Sequence, residues 1–281
     1  MGRVLTAALF LMVQVAAQDP AAAPGPAPRL EGFRHVPGKV QVGRVHLYRK
    51  SNVDGTNESR IALYQASETR LESLKWHEGE AEATLVVAEM DWPVLSVRSF
   101  RTWRIEPSAS GALERKLVAE IDASPDRREL VGRLGELTLR CPLERFPWHS
   151  YDFDLASLNV TLRYLAEPEG DGEVEIAIVD PVQGPEGPAL AARGPVYLVY
   201  EESEKHAGLD CRRYAIDGPG LEFRGGKLWA AKGDEVFLAG YEIDLPDEPG
   251  MRSGKLAWLE NATLTADEWQ RFAVERKLPS R

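Results

Sequence analysis

Apolar and polar residues alternate with a period of two along much of the chain. One such alternation places Leu117, Ala119 and Ile121 on a common face. Strands with one buried and one solvated face have this pattern, which favours antiparallel over parallel pairing. Two further segments have it, with common faces formed by Val174, Ile176 and Ile178 and by Leu137, Leu139 and Cys141.

Short turn-forming sequences separate these segments. They are rich in Gly, Asn, Asp and Pro, which favour tight turns, and they lie at residues 52–55, 170–172, 217–220, 225–226 and 233–234. The spacing predicts roughly ten to thirteen short strands in a mostly β fold. We therefore expect an antiparallel unclosed barrel or curved sheet.

One stretch in the middle of the chain has a helical period instead. Its leucines recur at i, i+3, i+7 and i+10, the stripe of an amphipathic helix that lays one face on a sheet. Ser150 or Asp152 is placed to cap its start. The stripe consists of Leu155, Leu158, Leu162 and Leu165.

A second, shorter helix is predicted near the C-terminus. Thr265 and Glu268 are spaced as a capping box, in which each side chain accepts a hydrogen bond from the other residue's backbone. Trp269, Phe272 and Ala273 follow on one face. We expect this helix to dock on the sheet through its two aromatic rings.

The N-terminus has the pattern of a secretory signal peptide at residues 1–17. Arg3 precedes an apolar run at 4–13, and Val15-Ala16-Ala17 supplies small residues for cleavage before Gln18. The apolar run is too short for a spanning helix, which needs about 20 residues, and it is not followed by a cysteine for lipid attachment. The sequence predicts a periplasmic or extracellular protein with no transmembrane segment.

The rest of the chain divides into a tether and a folded region. Residues 19–28 are almost entirely Pro, Ala and Gly, a composition typical of an extended linker. We expect residues 18–39 to form a Pro/Ala-rich disordered tether and 40–281 a single antiparallel-β domain. Two β lobes divided near 123–133 are the alternative for that domain.

Composition agrees with a folded, soluble product. Hydrophobic residues make up 43% of the chain and charged residues 28%, enough apolar material for a core. The formal net charge is −10, and losing Arg3 with the signal peptide lowers it by one. This acidity argues against nucleic acid or anionic lipid surfaces as partners.

A series of short motifs follows one order along the chain: Tyr48-Arg49-Lys50, the turn at 51–55, the strands at 61–64 and 71–75, the segment 151–158, Leu228-Trp229 and Gly254-Lys255-Leu256. In this order they resemble an uncharacterised exported bacterial family, a domain of unknown function similar to the periplasmic lipoprotein carriers of the Lol system (LolA- and LolB-like). The resemblance spans roughly Val40 to Leu259. It implies an unclosed antiparallel β-barrel covered by helices, whose concave apolar face takes acyl chains in the carriers. The family has no catalytic signature, so no functional residue is carried over.

The sequence contains no recognisable catalytic, metal or cofactor site. His149 lies between Trp148 and Ser150, but members of a catalytic triad converge from separate segments rather than lying side by side. No Gly-x-Ser-x-Gly motif or phosphate-binding glycine loop is present. No two histidines are spaced i, i+4 for zinc; they stand at positions 35, 46, 77, 149 and 206.

The only two cysteines are Cys141 and Cys211. An oxidising compartment permits a disulfide between them. Two separate buried thiols are the alternative, because Cys141 sits on an apolar strand face. A redox role is disfavoured since no Cys-x-x-Cys exists.

Tryptophan is abundant for one domain, and these rings either line a ligand surface or pack in the core and at its rim. Two hypotheses on function follow. The first is a non-enzymatic protein that binds an apolar ligand or a lipidated partner on its concave sheet. The second is a structural or protein-interaction module with a filled interior. The first ranks slightly higher, and an unrecognised hydrolase ranks third. The tryptophans concerned are Trp76, Trp92, Trp103, Trp148, Trp229 and Trp258.

Overall fold

The computed structural model describes residues 30–108, 113–150, 155–184, 187–244 and 253–278; the predicted signal peptide and residues 18–29 of the predicted tether lie outside them. These residues form one sheet of fifteen strands and two short α-helices. The strands are β1 (Arg44–Ser51), β2 (Ser59–Gln65), β3 (Arg70–Trp76), β4 (Ala83–Asp91), β5 (Ser96–Pro107), β6 (Leu113–Ala123), β7 (Glu129–Leu134), β8 (Leu137–Pro142), β9 (Trp148–His149), β10 (Glu173–Gly184), β11 (Gly187–His206), β12 (Leu209–Asp217), β13 (Gly226–Ala231), β14 (Leu238–Ile243) and β15 (Gly254–Thr263).

The sheet is an antiparallel meander that starts at its centre. Strand β1 pairs with β2 on one side and with β15 on the other. The spatial order runs from β8 back to β1, then through β15 down to β9. Only the pairing of the two-residue strand β9 with β10 is parallel. The mostly β, antiparallel and unclosed sheet predicted from the sequence is confirmed.

The sheet has more strands than the alternation pattern revealed, because its central strands are buried on both faces. Ile61 and Leu63 of β2 belong to one hydrophobic cluster, whereas Ala62 and Tyr64 belong to another. A strand covered on both sides has no polar face to alternate with its apolar one. The sheet also continues unbroken through residues 123–133, where β6 pairs with β7.

The C-terminal helix α2 (Ala266–Glu275) begins where the capping box predicts. The Thr265 side chain accepts from the backbone N–H of Glu268, whose carboxylate accepts in return. Trp269 stacks on Tyr64 at 4.7 Å between ring centres. Its indole Nε1 donates to the buried carboxylate of Glu72 at 2.7 Å. The helix therefore covers one face of the central strands.

The mid-chain helix differs from the prediction. Helix α1 spans only Leu158–Thr161 and continues as a 3₁₀ turn, Leu162–Tyr164. All seven of these residues are buried, so the segment is not amphipathic. Leu155 has a φ of +53° and cannot belong to the helix. The spacing of the leucines therefore does not mark the apolar face of an amphipathic helix, because the helical segment is buried on every side.

The described fold begins before the Val40 start expected from the sequence. Phe33 is buried and forms a β-bridge with Leu165, just after the 3₁₀ turn. Arg34 donates its backbone N–H to the carbonyl of Tyr164 at 2.7 Å. Residues 30–39 thus pack against the end of the helical segment, because Phe33 supplies an apolar anchor that the Pro/Ala run lacks.

Candidate functional site: a buried helical plug and the groove beside it

Residues 155–164, here called the plug, are packed within a single large hydrophobic cluster. That cluster draws residues from strands on both sides of β1, including Phe100 of β5 and Tyr214 of β12. The two ends of the sheet also approach one another. The Leu190 side chain of β11 lies so close to Gly132 of β7 that a Cβ atom at this glycine would be only 2.8 Å from it. The plug therefore occupies the concave side of the sheet.

Asn159 anchors the plug to two strands at once. Its Nδ2 donates to the hydroxyl of Tyr48 in β1 at 2.6 Å, and its Oδ1 accepts from the backbone N–H of Leu238 in β14 at 2.9 Å. Thr161 donates to the carbonyl of Leu95 at 3.0 Å. These side chains are buried, and unpaired polar groups in such a place are costly. The anchors therefore fix the plug in one position.

A third anchor joins the plug to strand β9. Nδ1 of His149 lies 2.6 Å from Oγ of Ser157, and both residues are fully buried. Burial lowers the pKa of His149 to about 3, so the imidazole is neutral near pH 7. A buried neutral His–Ser pair that is closed to solvent suits a structural role, not the activation of a nucleophile toward a substrate.

Ser150 does not cap the helix. Its hydroxyl donates to Oδ1 of Asp180 at 2.8 Å, and Asp180 is also 3.2 Å from Nε of Arg193. The N-cap position belongs to Ser157, which makes no side-chain capping bond. The capping role predicted for Ser150 was wrong because the helix starts seven residues later. Asp152, the other predicted cap, lies outside the described residues.

A charged network borders the plug at the start of β1. The Glu235 carboxylate lies 2.9 Å from Nε of Arg44 and 3.3 Å from Nε2 of His46. Burial alone would raise the pKa of Glu235, but its contacts with His46 and Arg44 bring it down to about 2. Burial lowers the pKa of His46. Arg163 of the plug lies 3.9 Å from the same carboxylate.

The space between this network and the plug is small. A cavity of about 10 Å³ is bordered by His46, Asn159 and Arg163, enough for about one water molecule and far too small for an acyl chain. The concave side is thus filled by the protein's own residues, whereas the resemblance to the lipoprotein carriers predicts a ligand there.

A larger groove lies where the two ends of the sheet meet. Its volume is about 410 Å³ and its wall is mainly apolar. Glu144 and Arg145 form the polar part of the wall. Arg145 forms an ion pair with Glu175 of β10 at 2.6 Å. The apolar wall includes Cys141, Leu143, Ile178, Val179 and Leu190.

The two cysteines are free, buried thiols. Cys141 belongs to the large cluster around the plug, whereas Cys211 lies in a separate small cluster with Trp229 and Phe237. Because they pack in different parts of the molecule, on β8 and β12, the structure contains the two separate thiols and not the possible disulfide. Burial raises the pKa of both.

The tryptophans do not converge on one surface. Trp148 packs edge-on against Phe100 in the large cluster, and Trp76 packs against Phe272 of α2. Trp229 stacks on His206 at 4.1 Å in a third place. The rings are distributed among three clusters as core and rim residues.

Two classes of feature are absent from the described parts of the chain. They contain no group of three or more His, Cys, Asp or Glu side chains placed to hold a metal ion. Neither of their helices has the length and hydrophobicity needed to cross a membrane.

Sequence reasoning missed the charged network entirely. Arg44, Glu235 and Arg163 are far apart in the chain and belong to no motif. Only an apolar strand interrupted by His46, between Val45 and Leu47, hinted at a polar group pointing inward.

Comparison with known proteins gives a distant structural likeness. Neither a family model nor a curated protein matches this chain. A β-barrel-like protein of the domain of unknown function DUF1849 from Brucella abortus, known from a crystal structure, is similar in structure with a TM-score of 0.41. The two are 8% identical, and the match covers 79% of this chain and 98% of that chain.

Proposed function

We propose that this chain is a non-enzymatic, exported protein of the bacterial cell envelope that acts as a protein-interaction module. The observation that carries the proposal is the plug, since a sheet whose concave side is filled by its own residues offers its outer surface and edges to partners. The signal-peptide pattern at residues 1–17 supports export.

The absence of enzymatic activity is part of the same proposal. The polar residues that converge from distant segments are engaged with the fold: Asn159 with two strands, His149 with Ser157, and Glu235 with Arg44. Catalysis needs such groups at a substrate-accessible surface. Their burial favours a structural use.

Native mass spectrometry of the mature protein, purified from its own periplasm, tests the filled interior. We expect a mass equal to that of the polypeptide alone, unchanged after incubation with envelope phospholipid vesicles. A stoichiometric lipid recovered by organic extraction would contradict the proposal.

Photo-crosslinking in living cells tests the interaction itself. A photoreactive residue at Leu137, an exposed apolar position, is expected to give discrete protein adducts. The same residue at Asp171, in an exposed polar turn, is the control and should give none. Equal labelling at both sites would speak against a defined interaction surface.

A second candidate function is the binding of an apolar ligand in the 410 Å³ groove between the sheet ends. Its apolar wall supports this alternative to a ligand on the concave sheet. In that case a lipid would co-purify, and Ala192→Trp, which fills the groove, would abolish its retention. The matched change Ala166→Trp, at an exposed position outside the groove, would leave it in place.

A further inference from the structure

The small cavity beside the plug has two buried polar side chains in a partly apolar wall. Arg163 of the plug and His46 of β1 both border it, and they are 8% and 3% exposed. The apolar part of the wall consists of Leu63, Leu71 and Val160. Buried polar atoms need hydrogen-bond partners, because their lost contact with water is otherwise uncompensated.

The guanidinium of Arg163 has one nitrogen whose hydrogen bond remains to be accounted for. Its Nη1 donates to the carbonyl of Lys39 at 3.2 Å, and its Nη2 lies 3.9 Å from the Glu235 carboxylate. Within the described part of the chain, Nε has no hydrogen-bond partner. An arginine nitrogen can only donate, so the group that meets Nε must accept a hydrogen bond.

His46 has the opposite requirement. Burial lowers the pKa of His46 despite its contact with Glu235, so the ring is neutral near pH 7 and one nitrogen carries the proton. Its Nε2 lies 3.3 Å from the Glu235 carboxylate, which can only accept, and this contact selects the tautomer protonated at Nε2. Nδ1 is then an acceptor, and none of the described residues forms a hydrogen bond with it.

We propose that the cavity is the binding site of one structural water molecule, which accepts from Nε of Arg163 and donates to Nδ1 of His46. The volume of about 10 Å³ holds one water. Chloride can accept from Nε but cannot donate to Nδ1. A cation can bind Nδ1 but cannot accept from Nε, and Arg44 and Arg163 outweigh the single negative charge of Glu235 nearby.

Gln65 offers the third contact that buried water molecules usually make. It borders the cavity, and its Nε2 donates to the carbonyls of Ser67 and Arg70 at 2.8 and 3.2 Å. Both amide hydrogens are thereby used. The side-chain oxygen of Gln65 is left to accept the second hydrogen of the water.

The water gives the plug a second polar connection to β1. Asn159 and Tyr48 join the two directly at 2.6 Å, and the water joins them again between Arg163 and His46. A dry cavity would leave a buried donor and a buried acceptor unpaired, which is costly. The water therefore explains how a guanidinium is accommodated on the buried plug.

A crystal structure at a resolution that shows ordered waters tests the site directly. We expect a density peak about 2.7 to 3.2 Å from both Nδ1 of His46 and Nε of Arg163. Exchanging chloride for bromide in the crystal identifies an anion, because bromide gives an anomalous signal and water does not. An anomalous peak at this position, or no density between the two nitrogens, would overturn the proposal.

Nitrogen-15 NMR of the imidazole rings tests the tautomer on which the argument for water depends. At mildly alkaline pH, where histidine is neutral, we expect the proton of His46 on Nε2. His77 is the internal control, since its Nδ1 lies 2.9 Å from the carbonyl of Glu58 and must donate. A proton on Nδ1 of His46 would contradict the proposal, because Nδ1 could then accept nothing.

Oxygen-17 magnetic relaxation dispersion counts long-lived internal waters in solution. Val160→Ile adds a methyl group at the cavity wall, and we expect it to lower the count by one. Val97→Ile adds the same group at a buried position away from the cavity and should leave the count unchanged. Circular dichroism checks that both variants fold. An undiminished count in folded Val160→Ile would speak against a water at this site.

Discussion

Asn159 and Tyr48 are joined by a buried hydrogen bond of 2.6 Å that connects the plug to the first strand of the sheet, 111 residues away in the chain. The same amide accepts the N–H of Leu238. One side chain thus connects the plug to β1 and β14, the two strands that flank β15.

Removing this amide should destabilise the protein strongly. In Asn159→Ala, the buried N–H of Leu238 loses its acceptor and Tyr48 loses its donor, so we expect the free energy of unfolding to fall by about 2 to 3 kcal/mol. Urea denaturation measures the change. Tyr48→Phe removes only one bond and should cost about 1 kcal/mol; an equal cost for both would mean that the Leu238 contact contributes nothing.

The buried imidazole of His149 should make the fold sensitive to acid. Its pKa is lowered from 6.5 to about 3, so the unfolded chain binds a proton more readily than the folded one. Stability that is present above pH 6.5 is therefore lost as the pH falls toward 3. The loss from this one group is on the order of 4 kcal/mol.

Measuring the free energy of unfolding from pH 7 to pH 3 tests this sensitivity. His149→Gln should show a flatter pH dependence over that range than the wild type. His77→Gln, in the turn after β3, is the matched control for loss of a histidine and should change stability at pH 7 by less than about 0.5 kcal/mol. A parallel pH dependence in His149→Gln and wild type would contradict the prediction.

The Glu235 carboxylate should contribute stability that disappears at low pH. Its pKa is lowered from 4.5 to about 2, so its contribution is complete above pH 4.5 and is lost as the pH falls toward 2. We expect Glu235→Gln to be less stable than wild type at pH 7, by about 2 kcal/mol, because Arg44 loses its anion. The difference should shrink toward pH 2, as thermal unfolding across that range would show.

The capping box should determine how firmly α2 docks. Thr265→Ala removes the hydroxyl that accepts from Glu268, and we expect a loss of about 1 kcal/mol. Trp269 lies on the buried face of this helix, and urea denaturation followed by circular dichroism measures the loss. Asp267→Ala, at an exposed position in the same first turn, should cost no more than a few tenths of a kcal/mol; equal losses would assign the effect to helix charge and not to the cap.

The sequence by itself determined the features that depend on neighbouring residues. Alternation along β6, β8 and β10 predicted strands because a pleated strand turns successive side chains to opposite faces. The capping box predicted the start of α2 because its bonds join residues three apart. Both kinds of signal lie within a few residues, so they are readable without knowing the rest of the fold.

Only the tertiary structure decided what the interior contains. The leucines of the plug look amphipathic in sequence, yet burial on all sides depends on strands that come from distant parts of the chain. The pairing of Glu235 with Arg44 spans 191 residues, and Asn159 meets Leu238 across 79. Such contacts follow from the register of the sheet as a whole, which no local pattern specifies.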